Sequence, residues 1–207
     1  KHIDGAKQLM KRYFIELEDP DLAYLVQGTD EFDAYIRDML WSQQYAAGNR
    51  SAMMDAVLAE LWAFVGAGSE VERINCHHNF TQLEHHHGKN VWLTRKGAIK
   101  AGVGNLGVIP GSMGARSYIV RGRGNPASYE SCSHGAGRRL SRTAARRTLT
   151  VESLNEAMAG KAWNEDAATL LDEHPSAYKD IDQVMADQSD LVEVLHTLTQ
   201  VLNYKGA

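Results

Sequence analysis

The amino-acid sequence predicts an α+β protein, with a central mixed or antiparallel sheet, long glycine-rich loops and flanking helices. Apolar residues recur at helical spacing over residues 1–66 and again after residue 138. Between these regions, residues 70–133 contain short β-prone runs that glycine and proline interrupt. Eleven of the eighteen glycines lie between Gly88 and Gly137, which favours loops that need backbone freedom.

Three helices are predicted in the first region. One spans residues 4–17 and ends before the Asp19-Pro20 turn. A second spans residues 30–47 and is expected to end at Gly48-Asn49, and a third follows Ser51. The apolar positions of the last two helices are predicted to lie in the core: Phe32, Tyr35, Ile36, Met39, Met54, Val57, Leu58, Leu61, Trp62 and Val65.

The middle and last regions contain shorter predicted elements. The β-prone runs are residues 71–80, 90–94, 98–103 and 117–120. Helices are predicted after Arg138, near residues 151–159 and 164–173, and over residues 180–202. The chain therefore divides into a helical segment 1–66, a β-rich segment 70–147 and a helical segment 148–207.

Charge is unevenly distributed along the chain. The net charge is only −4, with 22 Lys and Arg against 26 Asp and Glu. Between His85 and Arg147, however, twelve Lys and Arg face a single acid, Glu130. Such a segment produces a local positive field that attracts phosphate-bearing ligands.

The sequence also bounds the cellular setting. Two cysteines, Cys76 and Cys132, cannot supply a disulfide framework, so a reducing cytoplasm is expected. No apolar run approaches the ~20 residues that span a bilayer, and no membrane partner is expected. The first residue is Lys1 rather than Met, which suggests a processed product or a piece of a longer protein.

Residues 132–138 have the composition of a phosphate-binding site. His134 precedes Gly135, Ala136 and Gly137, small residues that expose backbone N–H groups to an anion. Five arginines follow within ten residues: Arg138, Arg139, Arg142, Arg146 and Arg147. On a helix, Arg138, Arg142 and Arg146 would share one face. This pattern suits phosphoryl transfer, and a glycine-rich turn before a solvated basic helix is the alternative interpretation.

Histidines form a second candidate group. They cluster at residues 77–78 and 85–87, and on a strand His77 and His78 would point to opposite faces. The spacing matches no closed zinc pattern. Metal binding and ordinary hydrogen-bonded side chains both remain open interpretations.

Several short motifs occur in order along nearly the whole chain. They include residues 75–79 (NCHHN), 94–98 (TRKGA), 110–114 (PGSMG), 133–138 (SHGAGR), 141–142 (SR), 175–180 (PSAYKD), 190–194 (DLVEV) and 205–206 (KG). Residues 21–25 (DLAYL) and 28–29 (GT) fit the same series. Together they resemble the RtcB family of RNA ligases, with an RtcB-like fold of one catalytic domain.

The resemblance implies a specific reaction. These enzymes use GTP and manganese to join an RNA 3′-phosphate or 2′,3′-cyclic phosphate end to a 5′-hydroxyl end. A histidine attacks the α-phosphate of GTP and becomes guanylyl-histidine, which is a form of covalent catalysis. The GMP then activates the RNA 3′-phosphate. By its place in the motif, His134 resembles the nucleophile.

The resemblance also assigns roles to other residues. His78 is similar to a manganese ligand, Arg138 to a group that binds phosphate or sugar, and Tyr178 to the aromatic ring that stacks on guanine. Lys205 is similar to the lysine that reads the guanine edge. The remaining nucleotide contacts implied are Asn79, Pro110, Gly111, Ser112, Met113, Ser117, Gly135, Ala136 and Gly137.

One departure from the family pattern affects the metal. Of five expected manganese ligands only His78 is present, because the earlier ligand motifs do not occur in this sequence. We therefore expect the C-terminal portion of a ligase whose N-terminal portion is a partner, and inactivity of the isolated fragment. A metal-independent RNA- or nucleotide-binding fragment and an inactive remnant are the alternatives. RNA ends and an archease-type activating protein are the other expected partners.

Overall fold

A computed structural model describes residues 1–163 and 166–204 of the chain. The chain forms two compact units. One consists of residues 1–68 together with residues 80–82, and the other consists of residues 69–79 together with the chain from Leu83 onward. Each unit is described by itself, and the candidate functional residues all belong to the second.

The first unit contains two helices. Helix α1 spans His2–Arg12 and buries Leu9 and Met10, so it is shorter than the predicted helix over residues 4–17. Helix α2 spans Asp30–Val65 without interruption, and the predicted break at Gly48-Asn49 is wrong. A glycine inside a helix costs about 1 kcal/mol, which a helix of 36 residues tolerates.

The ends of α2 have strong capping signals. The Thr29 hydroxyl accepts a hydrogen bond from the Phe32 N–H at the N-terminus. Gly66 ends the helix at φ 87°, in the left-handed conformation that glycine adopts without steric cost. These two caps, rather than Gly48, determine where α2 begins and ends.

The apolar face of α2 is not the core that its periodicity predicts. Ile36 is its only residue classed as buried among the described residues. Val57, Leu61 and Val65 are 66%, 49% and 56% exposed. The spacing correctly indicates a helix, but spacing alone does not show that another element covers the apolar face.

The strands described belong to the second unit, except for residues 80–82 of the first strand, which are assigned to the first unit. The strands are β1 (Asn79–His86), β2 (Lys89–Lys96), β3 (Ala98–Lys100), β4 (Leu106–Pro110), β5 (Ser117–Gly122), β6 (Ser131–Ser133), β7 (Ala162–Trp163), β8 (Val192–Leu198) and β9 (Leu202–Asn203). The runs predicted near residues 90–94, 98–103 and 117–120 are confirmed as strands with shifted ends. The predicted strand over residues 71–80 is wrong for most of its length, because β1 begins only at Asn79.

The strands form four small sheets in the described part of the chain, rather than one central sheet. Strand β5 lies between β4 and β8, and both neighbours are antiparallel to it. Strand β3 pairs antiparallel with β6, β1 pairs with β2, and the short β7 and β9 pair in parallel. The α+β class is confirmed, whereas the single central sheet is not.

Three short helices complete the second unit: α3 (Arg142–Thr148), α4 (Val151–Ala157) and α5 (Ile181–Asp187). The predicted helix near residues 151–159 is therefore confirmed. The helix predicted over residues 180–202 is wrong beyond Asp187, since β8 follows and pairs with β5. The described part of the predicted helix 164–173 contains only a 3₁₀ turn, Leu171–Glu173.

The core of the second unit brings β3, β4, β5 and β6 together. Ile99, Ile109, Val120 and Cys132 are each at most 3% exposed and belong to one apolar cluster. Because Cys132 is anchored there, the residue that follows β6 is held in a fixed place. No helix in the described ranges is long and apolar enough to cross a membrane.

Candidate functional site

His134 lies directly after β6, next to His78. Their imidazole rings stack with centroids 5.0 Å apart and an interplanar angle of 6°. Strand pairing explains this proximity, because Ala98 of β3 is opposite Ser133 of β6. The residue before β3, Gly97, accepts a hydrogen bond from the His134 N–H at 3.4 Å.

Gly97 connects the residues of the two motifs. Its N–H donates to the carbonyl oxygen of His78 at 2.8 Å and to Oδ1 of Asn79 at 3.0 Å. Its φ is +69°, and a Cβ here would lie 3.4 Å from Cε1 and Nδ1 of the His134 ring. The structure thus brings His78 and Asn79 of one motif close to His134 of another. Gly97 connects them, and the sequence analysis assigned no role to this glycine.

The two ring nitrogens of His134 differ in their surroundings. Neither forms a hydrogen bond with any residue in the described ranges, and Nδ1 is buried without a partner. Because Nδ1 is covered by protein, Nε2 is the nitrogen left open to a ligand. An imidazole whose nitrogens are not used by the fold is available for chemistry.

Residues 135–137 lie against the loop that follows β4. The Ala136 N–H donates to the carbonyl oxygen of Pro110 at 3.3 Å. A Cβ at Gly135 would lie 3.1 Å from that same oxygen, so a larger residue here would push the Pro110 carbonyl away by a few tenths of an ångström. The two predicted nucleotide-binding segments are therefore adjacent in the structure.

The loop itself is held at both ends. A Cβ at Gly111 would lie 2.2 Å from the Arg116 carbonyl oxygen, and the Gly111 N–H donates to the Ser117 hydroxyl at 3.4 Å. Met113 is 2% exposed and packs with Leu154, so its side chain anchors the loop in the core.

Gln200 fixes the same loop from the C-terminal region. Its Oε1 accepts from the Gly114 N–H, and its Nε2 donates to the Ser112 carbonyl oxygen, both at 3.0 Å. Sequence reasoning missed Gln200 because a lone glutamine 86 residues from its partner has no local signal. Lys205, predicted to read guanine, lies outside the described residues.

Arg138 is not on a helix, so the prediction that it shares a helical face with Arg142 is wrong. Helix α3 begins at Arg142, and Arg138 forms an isolated bridge with Tyr178. The Arg138 guanidinium donates to the Tyr178 hydroxyl at 2.7 Å and lies 4.7 Å from the ring centroid. This cation–π contact covers part of the ring predicted to stack on guanine.

The arginines nevertheless converge, on acids that the sequence analysis did not identify. Arg142 and Arg146 bind the two carboxylate oxygens of Asp172, at 2.9 and 3.2 Å. Arg138 lies 3.6 Å from Glu173, which accepts the Tyr178 hydroxyl hydrogen bond at 2.6 Å. These acids are far from the arginines in sequence, so no spacing rule reveals the cluster.

Electrostatics in this cluster follow from burial and from the paired charges. Burial raises the pKa of the Asp172 carboxyl, but the hydrogen bond and charge of Arg146 outweigh burial and lower it below its usual value. Burial, together with the hydrogen bond to Glu173, raises the pKa of Tyr178 to about 12. At neutral pH the site therefore holds a charged Asp172 and a protonated Tyr178.

Acids from the rest of the chain also neutralise other bases of the basic segment. Arg116 pairs with Asp182 at 3.1 Å, and Arg121 pairs with Glu193 at 3.5 Å. The excess of positive charge in the sequence is therefore smaller in the folded unit than along the chain. The positive field that the sequence predicts would therefore come mainly from those bases of the segment that have no acidic partner.

Metal binding requires more ligands than this region offers. No group of three or more His, Cys, Asp or Glu side chains able to hold an ion occurs within residues 1–163 and 166–204. His78 faces His134 rather than a carboxylate cluster. Manganese prefers several oxygen and nitrogen ligands, so the described residues do not fit it by themselves.

The fold and site define a class of protein. It has a histidine that stacks on a second histidine, two adjacent glycine-rich segments, and arginines gathered around Asp172 and Glu173, which are residue types that proteins use to bind phosphate groups. Residues 1–206 match the family described as tRNA-splicing ligase RtcB. The chain belongs to the RtcB family.

Similar proteins occur in bacteria and archaea. The chain is 48% identical to the RNA-splicing ligase RtcB of Escherichia coli K12, over 99% of this chain and 51% of that protein. It is 30% identical to the RNA-splicing ligase RtcB of Mycobacterium tuberculosis, over 99% and 52% of the two chains. Identity to the tRNA-splicing ligase RtcB of Methanococcus maripaludis is 30%, over 84% and 42%. The chain spans about half the length of the curated relatives it matches.

Proposed function

We propose that this chain carries the nucleophile and most of the guanosine-binding surface of an RNA ligase. The reaction would join an RNA 3′-phosphate or 2′,3′-cyclic phosphate end to a 5′-hydroxyl end. The observation that supports this proposal most is the open Nε2 of His134 beside the segments at Pro110 and Gly135. The names of its relatives, which are RNA- and tRNA-splicing ligases, support the RNA substrate.

The first step would make guanylyl-histidine from GTP. Neutral Nε2 of His134 attacks the α-phosphorus, a P–N bond forms, and the bond to the bridging oxygen breaks to release pyrophosphate. In the second step an RNA 3′-phosphate oxygen displaces the histidine and gains the GMP group. The 5′-hydroxyl oxygen of the other RNA then attacks that phosphate, and GMP leaves.

The residues around His134 would orient the nucleotide. Backbone N–H groups of residues 135–137 would face the phosphate, and Arg138 would add charge. Asn79, the loop from Pro110 to Met113, and Ser117 would surround the guanosine. Tyr178 would stack on the base with the face that Arg138 leaves open. Lys205 would read the guanine edge.

Manganese belongs to the proposal as a cofactor whose ligands include His78. Its other ligands would have to come from outside the described residues, since no cluster of three donors occurs among them. The same consideration favours a second candidate, a nucleotide- or RNA-binding fragment that has no ligase activity. An archease-type activator and a cytoplasmic setting complete the proposal.

Adduct formation tests the proposed nucleophile. The enzyme containing this chain is incubated with α-labelled GTP and manganese, and label that stays with the denatured protein is measured. His134→Ala and His134→Asn should both abolish the label, because neither side chain has a nucleophilic ring nitrogen. The matched control is His85→Ala, because His85 is an exposed residue of β1 whose ring bonds Asn90 of β2. Undiminished labelling of either His134 variant would contradict the proposal.

A second experiment separates the ligase from the binding fragment. The 207-residue chain alone should bind GTP without forming an adduct, even with manganese in excess. Adding the remaining half of a family relative in trans should restore labelling if the ligands then converge on one ion. Labelling by the chain alone would show that the expected ligand set does not apply to it.

A further inference from the structure

A buried ion pair lies next to the turn that leads into β6, the strand directly before His134. Arg95 of β2 and Glu84 of β1 have side chains that are 2% and 5% exposed. The guanidinium donates to both carboxylate oxygens, Nη1 to Oε1 at 2.6 Å and Nη2 to Oε2 at 3.1 Å. No role proposed above for the nucleotide, the metal or the RNA uses these two residues.

The same guanidinium also reaches the turn that leads into β6. Its Nε donates to the Ser131 hydroxyl at 2.8 Å, and its Nη2 donates to the carbonyl oxygens of Tyr129 and Glu130 at 3.0 and 3.5 Å. Arg95 therefore connects β2 to Tyr129 and Glu130, which precede β6, and to Ser131, the first residue of that strand. A planar guanidinium can make this set of bonds because its donors point in fixed directions.

That turn has a conformation that needs support. Tyr129 and Glu130 have φ values of 53° and 50°, in the left-handed region that residues other than glycine rarely adopt. Two such residues in succession place Ser131 at the start of β6, and His134 follows three residues later. Strained backbone persists where surrounding contacts determine it, and Arg95 supplies several of those contacts.

Glu84 in turn keeps Arg95 in place. Its Oε2 lies 2.8 Å from Nε2 of His86, and Lys100 lies 3.5 Å from its Oε1. The His86 ring packs edge-on against Tyr129, with centroids 5.3 Å apart. The Arg95–Glu84 pair is thus part of a network that contacts the turn at Tyr129 through two side chains, those of Arg95 and His86.

We propose that Arg95, held by Glu84, is a positioning residue that sets the place of His134 through the turn at Tyr129 and Glu130. This inference rests on the proposed function of His134 and adds a group that acts at a distance from the nucleotide. A shift of the nucleophile by about 1 Å can cost about 100-fold in rate, so a loosened turn is expected to slow adduct formation.

Arg95→Lys is the informative variant. Lysine keeps a positive charge next to Glu84, so no carboxylate is left unpaired in the interior, but a single ammonium cannot replace the planar fork. In the enzyme that contains this chain, we expect single-turnover adduct formation to fall about 10- to 100-fold, with the GTP concentration at half-maximal rate changed less than twofold. The matched control is Arg121→Lys, because Arg121 lies on β5 in an exposed pair with Glu193.

A second variant and a spectroscopic readout separate positioning from loss of stability. Ser131→Ala removes one Arg95 bond and the bond that the Ser131 hydroxyl donates to the Tyr129 carbonyl oxygen at 3.0 Å. It leaves the ion pair in place, so its effect should be smaller than that of Arg95→Lys and in the same direction. The NMR resonances of the His134 ring and backbone should move in Arg95→Lys and stay in place in Arg121→Lys. A role in stability alone would lower the melting temperature without moving those resonances.

The outcomes distinguish this inference from the proposed function. If the unmodified enzyme that contains this chain forms no adduct, the proposed function fails, and the His134 resonances still decide whether Arg95 positions the ring. If the unmodified protein forms the adduct and a folded Arg95→Lys variant matches it in rate and in His134 resonances, the positioning role is overturned.

Discussion

The rings of His78 and His134 are parallel to within 6°, with their centroids 5.0 Å apart, although the two residues are far apart in sequence. Gly97 holds this arrangement. Its carbonyl oxygen accepts a hydrogen bond from the His134 N–H, and its N–H donates to the carbonyl oxygen of His78. In this arrangement Nδ1 of His134 is buried without a hydrogen-bond partner among the described residues. The geometry leads to four predictions beyond the tests of the two proposals.

Replacing Gly97 should separate backbone strain from an effect on His134. Gly97→Ala and Gly104→Ala each place a Cβ on a left-handed residue, at φ +69° and +79°, and each should cost about 1 kcal/mol of stability. Only the first would place the Cβ 3.4 Å from the His134 ring. Adduct formation should therefore fall in Gly97→Ala alone. Equal labelling by the two variants would contradict a role for this contact.

Gln200 should influence GTP binding without touching the nucleotide. Gln200→Ala removes both bonds to the loop at Ser112 and Gly114, each with a net value of about 1 kcal/mol. We expect an approximately tenfold weaker affinity for GTP, measured by calorimetry, because the loop must then be ordered on binding. Gln183→Ala is the control, since Gln183 bonds Asp187 within α5. An unchanged affinity in Gln200→Ala would show that the loop is ordered without it.

Acid should destabilise the protein partly through Glu84. Burial raises the pKa of this carboxyl, but hydrogen bonds from Arg95 and His86 outweigh burial and hold the pKa at about 2, below its ordinary 4.5. The unfolded chain therefore takes up the proton first as the pH falls. Ionised Glu84 therefore adds about 3 kcal/mol to the free energy of unfolding above pH 4.5. This contribution is lost as the pH falls toward 2.

Urea denaturation can measure this contribution. The difference in unfolding free energy between the natural protein and Glu84→Gln should shrink between about pH 6 and about pH 2.5, where most of the window has been crossed. The same comparison with Glu193→Gln should show little change, since that carboxylate is 49% exposed in a surface pair. A Glu84→Gln difference that is independent of pH would contradict the low pKa.

RNA affinity should depend on Arg142 through charge rather than sequence. The Arg142 side chain is 68% exposed although it pairs with Asp172, so it can also meet a phosphate. For Arg142→Gln, the slope of log K against log salt should shrink by up to about 0.7 on single strands, for all RNA sequences alike. Fluorescence anisotropy over a salt series gives this slope. Arg121→Gln serves as the control, and a loss confined to certain sequences would indicate base recognition instead.

Local features of the sequence were sufficient for part of the fold. The helical spacing of apolar residues after Asp30, the glycine turns and the β-prone run at residues 117–120 predict where several elements lie, because each depends on neighbours along the chain. The same reasoning failed for residues 180–202. The segment after Asp187 becomes β8 because β5 supplies its hydrogen-bond partners, and such pairing is not encoded in local spacing.

For the candidate site, the sequence by itself determined the residue types on which the proposal rests: a histidine before small residues, a second histidine beside Asn79, and a group of arginines. Only the tertiary structure decided which groups meet. It placed Gly97 between the two histidines, paired Arg142 with Asp172, and set Arg95 against the turn before β6. The physical reason is that these contacts join residues distant in sequence, and their geometry depends on how the strands pair and what the core buries rather than on local propensity.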